Sequence, residues 1–160
     1  MSKGLPRSYM RAALAAHQRP KVTGMRSPVE GDSSQLAKLM CAAYRGTIDD
    51  EGESEDVALE EVRKTFAGEY GAFLPHCSKV VAPSQELLHA TLVTRWEGRP
   101  FIAFSMTEPS AKRTGLARAC LVNAMQDLRV QGESELRLVV TLANLPAMSL
   151  YESLGFVVQE

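Results

Sequence analysis

Two stretches carry residues whose types and spacing could do chemistry. The first is Lys112, Arg113, Thr114, Gly115, Leu116 and Ala117, between an apolar run and a long helical pattern. A helix N-terminus offers unpaired backbone N–H groups and the positive end of the helix dipole, which together suit a pyrophosphate. Gly115 lets a ligand approach the backbone, and Lys112 and Arg113 add full charge. Neither the Walker lysine pattern nor the three-glycine dinucleotide pattern is present, and a basic loop with one glycine is also an ordinary connection. The second stretch runs from Asn144 to Phe156. On a helix, Asn144, Ala147, Met148 and Tyr151 share one face. Asn144 serves equally as a helix cap, Pro146 fits a first turn, and Gly155 is a stop. Tyr151 alone reads equally as a packing aromatic.

These stretches must be positioned by regular elements. A short strand is expected over residues 22–26, followed by a turn at Pro28 and a helix capped by Ser33 or Ser34, with Leu36, Leu39, Met40 and Ala43 at helical spacing. A second helix is expected from about Ser54 to Phe66, with Val57, Val62 and Phe66 inward and Gly68 as its stop. The period then changes to that of strands over residues 78–82, 87–96 and 99–107, the last two joined by a tight turn at Glu97 and Gly98. Residues 115–130 read as a helix, with Ala117, Leu121, Ala124 and Leu128 on one side and Arg118, Gln126 and Arg129 on the other. A buried strand (136–141), a short helix (147–154) and a last strand (156–158) complete the chain. A strand, helix and strand in that order imply a right-handed parallel crossover, while the hairpins imply antiparallel pairing. The expected fold class is α/β with a mixed sheet.

Taken together, the two motifs resemble those of the GNAT acetyltransferases, in the order strand, Arg/Gln-x-x-Gly-x-Gly/Ala loop, helix, strand, Asn-x-x-Ala-x-x-Leu-Tyr-x-x-x-Gly-Phe. The resemblance is carried by residues 99–158, and by order of elements alone from Lys21 onward. It implies a central mixed sheet of six to seven strands flanked by about four helices, and acetyl-CoA as co-substrate with no metal. Met106 and Thr107 would then pair with the pantetheine arm through backbone groups. The loop from Lys112 through Arg113, Thr114, Gly115 and Leu116 to Ala117 would hold the pyrophosphate, and Asn144, Ala147 and Tyr151 would line the cofactor arm. Tyr151 would protonate the departing thiolate. Lys112 stands where the family more often has Arg or Gln, which keeps the charge and loses planar hydrogen bonding. The resemblance leaves no room after residue 158 for the family's usual final strand, so the sheet edge is expected to be open or completed by another chain, as in a homodimer.

The implied reaction is an amine attacking a thioester. A lysine-type amine with a pKa of about 10.4 must first lose a proton, and a tyrosine with a reference pKa of about 10 can donate one to the leaving thiolate. A strand-end amide can stabilise the oxyanion. Candidates for the base are Glu108, His89, and the acidic set Asp49, Asp50, Glu51 and Glu53. The stretch from Asp49 to Glu61 holds eight acids and no basic residue, which favours a cationic acceptor, small or on a peptide. A catalytically silent acyl-CoA sensor or interaction module is the alternative function.

Composition sets the outer bounds. The 160 residues, 45% hydrophobic and 23% charged, suit one soluble domain. No apolar run approaches the ~20 residues of a membrane span. Cys41, Cys77 and Cys120 lack zinc or disulfide spacing, and a reducing cytoplasmic setting is expected. Lys3, Arg7, Arg11, Arg19, Lys21 and Arg26 all precede Glu30, the first acid. Residues 1–20 are expected to be a loose basic leader ahead of a domain over residues 21–160, with an organellar presequence or a nucleic-acid-attracting arm as other readings.

Overall fold

The computed structural model describes residues 4–159. Eight strands form one mixed sheet: β1 (Arg7–Ala13), β2 (Met25–Arg26), β3 (Ala72–Phe73), β4 (Lys79–Val81), β5 (His89–Trp96), β6 (Arg99–Thr107), β7 (Glu135–Thr141) and β8 (Val157–Val158). Four helices accompany them: α1 (Ser33–Tyr44), α2 (Glu55–Ala67), α3 (Leu116–Val130) and α4 (Leu145–Ser153). The strand order is β2-β4-β5-β6-β7-β1-β8, with β3 also pairing with β5. All pairs with assigned register are antiparallel except β6 with β7.

Local signals account for the element ends. Ser54 accepts a hydrogen bond from the Val57 amide at 3.3 Å, Glu55 and Asp56 face the positive end of α2, and left-handed Gly68 stops it. Val57 is exposed; Ala58, Val62 and Thr65 are the buried residues of this helix. Glu97 and Gly98 both adopt positive φ, the conformation of a two-residue hairpin turn whose twist matches its strands. One core packs α3 and α4 on one sheet face, through Leu121, Ala124, Leu128 and Phe156. The other packs α1 and α2 on the opposite face, through Leu36, Met40, Val62 and Leu92.

The region expected to be a loose leader is part of the sheet. β1 lies between β7 and β8, paired with β7 over seven residues from Arg7↔Thr141 to Ala13↔Glu135. Met10 and Ala12 are fully buried. The position expected to stay open, or to be completed by another chain, is therefore filled from within the chain. The segment that follows crosses α3. Gln126 accepts from the His17 amide (3.2 Å) and donates to the Ala15 carbonyl (2.9 Å), Asn123 donates to the Pro20 carbonyl (3.0 Å), and Arg19 pairs with Asp127 at 2.7 Å. Gln126 is consequently buried, not on an open polar face. Burying backbone without such partners would cost free energy, so these side chains act as a substitute ladder. Lys3 lies outside the described residues.

A bulge interrupts the β5–β6 hairpin. Leu92 pairs with Phe104 and Val93 with Ile102, which leaves Ala103 unpaired. Side chains two residues apart share a face in a regular strand, but Ile102 joins the α3 core and Met106 the α1 core. The bulge reverses the alternation between them. It also turns Ser105 toward α4.

Two stability predictions follow from this packing. Met10→Ala should cost about 2–5 kcal/mol in urea unfolding, the range for a large side chain lost from a core, whereas a loose terminus would give no change. His89 is fully buried, and desolvation lowers its pKa from 6.5 to about 4. The folded chain then refuses a proton that the unfolded chain accepts. Stability from this group is complete above pH 6.5 and is lost as pH falls through 4, by roughly 3 kcal/mol in total. His89→Gln should flatten that part of the pH profile relative to wild type.

Candidate active site

The site sits where two parallel strands part. β6 and β7 are in register at the single pair Phe101↔Arg137, and their C-terminal ends then run on without further pairing. Crevices at strand C-termini in open α/β sheets are the usual ligand sites. Here the bulge at Ala103 aims Ser105 into that region, where it neighbours Tyr151 of α4.

At the rim, the loop leading into α3 has an unusual backbone. Arg113 (φ 65°) and the N-cap Gly115 (φ 85°) are both left-handed. Such a conformation is strained for arginine and natural for glycine. Gly115 brings no capping side chain, and the first helical bond is donated by the Ala119 amide to the Gly115 carbonyl at 3.0 Å. The amides ahead of Ala119, those of Leu116 and Ala117 among them, are the orphan donors of a helix start. A Cβ placed on Gly115 would meet open space. These features fit a phosphate group. The Thr114 hydroxyl donates to the Ala111 carbonyl at 2.5 Å and pins the loop. Lys112 is directed elsewhere: its Nζ donates to the Ala43 carbonyl at 3.2 Å, where it complements the C-terminal end of α1.

At the inner end, Tyr151 is buried and packs edge-on against Phe156, with ring centroids 5.6 Å apart. Burial raises its pKa, the Ser105 hydrogen bond opposes that rise, and the charge of Asp49 adds to it. Tyr44 of α1 is also raised, by burial first and then by Tyr151 and Asp49. Asp49 connects these parts. Its carboxylate accepts from the Thr141 hydroxyl at 2.9 Å and from the Asn144 side-chain amide at 3.4 Å. Asn144 meanwhile caps α4 by accepting from the Ala147 amide at 3.3 Å. The segment after α1 thus lies against the end of β7 and the start of α4.

The remaining sequence candidates fall in different places. Met106 is buried in the α1–α2 core, and the Thr107 hydroxyl bonds Nδ1 of His89 at 2.8 Å. Glu108 turns back to cap the short 3-10 turn at Pro109–Ala111, accepting from the Ser110 amide at 2.8 Å and from the Ser110 hydroxyl. His89 has both ring nitrogens engaged by hydroxyls, the second by Thr91 at 2.7 Å. Asp50 closes its own loop, accepting from the Gly46 and Gly52 amides, and these bonds hold its carboxyl below the usual range. Beside it runs an open groove of about 780 Å³ lined by Leu5, Ile48, Asp50, Glu51, Glu53 and Val57. Ser105 was not singled out from the sequence, because the strand pattern gives no sign of the bulge that aims it. No helix among the described residues is long and apolar enough to cross a membrane.

Comparison with known proteins agrees with this geometry. Residues 88–160 match the model of the FR47-like protein family. No curated protein matches the sequence. Among solved structures, a GNAT-family acetyltransferase from Colwellia psychrerythraea is similar at TM-score 0.71 and 12% identity, over 96% of this chain and 53% of that one. The chain therefore spans about half the length of that relative. The ribosomal-protein-S18-alanine N-acetyltransferase of Escherichia coli is similar at TM-score 0.63 and 23% identity, over 82% and 75% of the two chains. A GNAT-family acetyltransferase from Brucella melitensis, solved in complex with acetyl-CoA, is similar at TM-score 0.55 and 16% identity, over 68% and 70%. At these identities the structural likeness establishes the fold. The fold is that of the GNAT acetyltransferases, and within it residues 88–160 carry the FR47-like match.

Proposed function

We propose that the chain is an N-acyltransferase that moves an acetyl group from acetyl-CoA to a primary amine by direct attack on the thioester. The observation that carries this reading is the buried Tyr151 side chain of α4, set beside Ser105 where β6 and β7 part. A phenol whose pKa is raised by burial stays protonated at neutral pH, as a general acid must. The free amides at the start of α3 and the open space above Gly115 supply the anion site that a CoA pyrophosphate needs. Acetyl-CoA in the Brucella structure supports the choice of donor by likeness of fold.

In this reading the neutral amine attacks the thioester carbonyl, the nitrogen of the tetrahedral intermediate loses its extra proton to solvent water, and on collapse the Tyr151 proton goes to the departing sulfur. Asp49 is the acid whose charge is felt at Tyr151, and with Asp50, Glu51 and Glu53 it gives the acceptor side a negative field. The acceptor is accordingly a cationic amine, whose ammonium form is drawn in before it loses its proton. Three free cysteines, two of them buried, suit a reducing cytoplasmic setting. A panel of cationic and neutral amines with acetyl-CoA, read by released thiol, tests the assignment; thiol release with no amine in the panel would sink it.

Two sharper predictions accompany this reading. CoA at ~100 times its dissociation constant should stabilise the fold by about 2.7 kcal/mol, visible as a rise in Tm. Gly115→Val should abolish that rise by filling the open space, and melting without ligand measures the separate strain cost at positive φ. Tyr151→Phe keeps the ring and its contact with Phe156. It should lower kcat by roughly 10²- to 10⁴-fold with little change in CoA affinity or Tm. A kcat equal to wild type, measured where chemistry limits turnover, would exclude Tyr151 as the acid.

A further inference from the structure

The sheet face that α1 and α2 pack on is covered only in part. Their core takes in residues of β3 to β6 and none of β1, β7 or β8. β1 alternates, so Met10 and Ala12 enter the other core while Tyr9 and Arg11 project from the uncovered face. Register carries that face across the sheet. Arg11 lies opposite Arg137, Arg137 is level with Phe101, and Arg99, two residues before Phe101, lies opposite Trp96. Trp96, Arg99, Arg137, Arg11 and Tyr9 thus follow one another along a diagonal over β5, β6, β7 and β1, about 20 Å from end to end at the usual strand spacings. Tyr9 is 57% exposed, Trp96 43% and the Arg99 side chain 50%. Beside Arg11 the face dips into a hollow of about 300 Å³.

Charge on this diagonal is unbalanced. Of the described side chains that project there from β6, β7 and β1, Glu135 is the only acid. It accepts from Arg137 at 2.7 Å and pairs with Arg99 at 3.4 Å. The Arg137 hydrogen bond holds its carboxyl below the usual range against burial, and the charges of Arg137, Arg99 and Arg11 add to that. Three guanidinium groups against one carboxylate leave positive charge in excess. Arg11 directly opposite Arg137 is a like-charge pair, which destabilises a sheet where a neutral residue would not. A cost kept at an exposed position, between two exposed aromatics, marks a surface shaped for a partner. Two such faces would repel each other, which argues against a second copy of the chain. An acidic peptide would use the arginines and leave Tyr9 and Trp96 in water. Single-stranded nucleic acid uses both, because planar guanidinium forks match phosphates and aromatic rings stack on bases of any sequence. We propose that the diagonal of Trp96, Arg99, Arg137, Arg11 and Tyr9 is a binding surface for single-stranded RNA or DNA. β7 carries this surface at its Glu135 end and the Asp49 contact at its Thr141 end, so a bound strand lies away from Tyr151 and the acidic loop.

Trp96 is the only tryptophan of the chain, so its emission reports base contact directly. The probe is a single-stranded oligo(U) of about twelve nucleotides, within the usual span of such sites, titrated with the full chain. Fluorescein-labelled oligo(U) should gain anisotropy, and unlabelled oligo(U) should quench Trp96. Log K should fall against log salt with a slope of about −1.4 to −2, at roughly −0.7 per phosphate neutralised. Arg11→Gln and Arg99→Gln should each weaken binding and make that slope shallower by about 0.7. Tyr9→Ser should weaken binding about fivefold or more with the slope unchanged, the mark of lost stacking. Arg11→Gln should melt no lower than wild type, because it relieves the opposition to Arg137. Absence of binding at low salt overturns the proposal. So does poly-glutamate that binds as tightly as oligo(U), or oligo(U) binding that leaves Trp96 emission unchanged. A dimer that forms with rising concentration and is lost in Arg11→Gln would assign the face to a second copy and overturn it as well.

Discussion

The structure depends on the parting of β6 and β7. Two parallel strands that share one register pair leave later backbone groups without a ladder, in a place flanked by packed elements. Buried backbone groups need partners, and side chains must supply them or solvent must enter. The answer here is chemical as well as structural. The Thr141 hydroxyl at the end of β7 donates to Asp49, and Ser105 on β6 meets Tyr151. The same gap that weakens the sheet gives the site its depth and its polar groups.

A split sheet needs to be held together elsewhere, and the N-terminal arm does this. β1 doubles the pairing on the far side of β7 and accepts β8 as the outermost strand. The following segment crosses α3, held by Asn123, Gln126 and Asp127, and reaches β2 at the opposite edge. One stretch of chain thus braces both ends of the sheet. Arg19, which reads as part of a basic leader, is spent on Asp127, and Arg26 on Asp32 through two hydrogen bonds. Two of the arm's positive charges are thus paired within the fold.

How much was legible in the sequence follows from the range of the signals. The helices α1, α2 and α3 and the strands β5, β6 and β7 repeat apolar residues at their own period, with caps or glycines at their ends, and these are local facts. β1 is different. Its inward residues include Met10 and small Ala12, its outward ones Arg7 and Arg11, and alanine and arginine carry little strand preference. Only pairing with β7, more than a hundred residues away, makes it a strand. Buried Gln126 is hidden for the same reason, since its partners are backbone groups of residues 15 and 17. The site motifs were legible as spacing: Asn144, Ala147 and Tyr151 do occupy α4, and Gly115 does begin α3. The direction of side chains was not. Lys112 turns to the Ala43 carbonyl of α1 and Glu108 to the Ser110 amide, contacts that residue spacing does not reveal.

Those local engagements sharpen the division of labour at the site. The Glu108 carboxylate already accepts from the Ser110 amide and hydroxyl and is turned into its own 3-10 turn. His89 is further from use as a base, since burial lowers its pKa to about 4 and both nitrogens are occupied. A group that resists protonation cannot keep an amine's proton. Tyr151 stands at the other extreme. Burial and the charge of Asp49 both disfavour its anion, so the phenol holds its proton at neutral pH. In the proposed reaction Asp49 would bear on both halves: its charge would attract a cationic amine and, through the same field, keep the phenol protonated until a thiolate demands the proton.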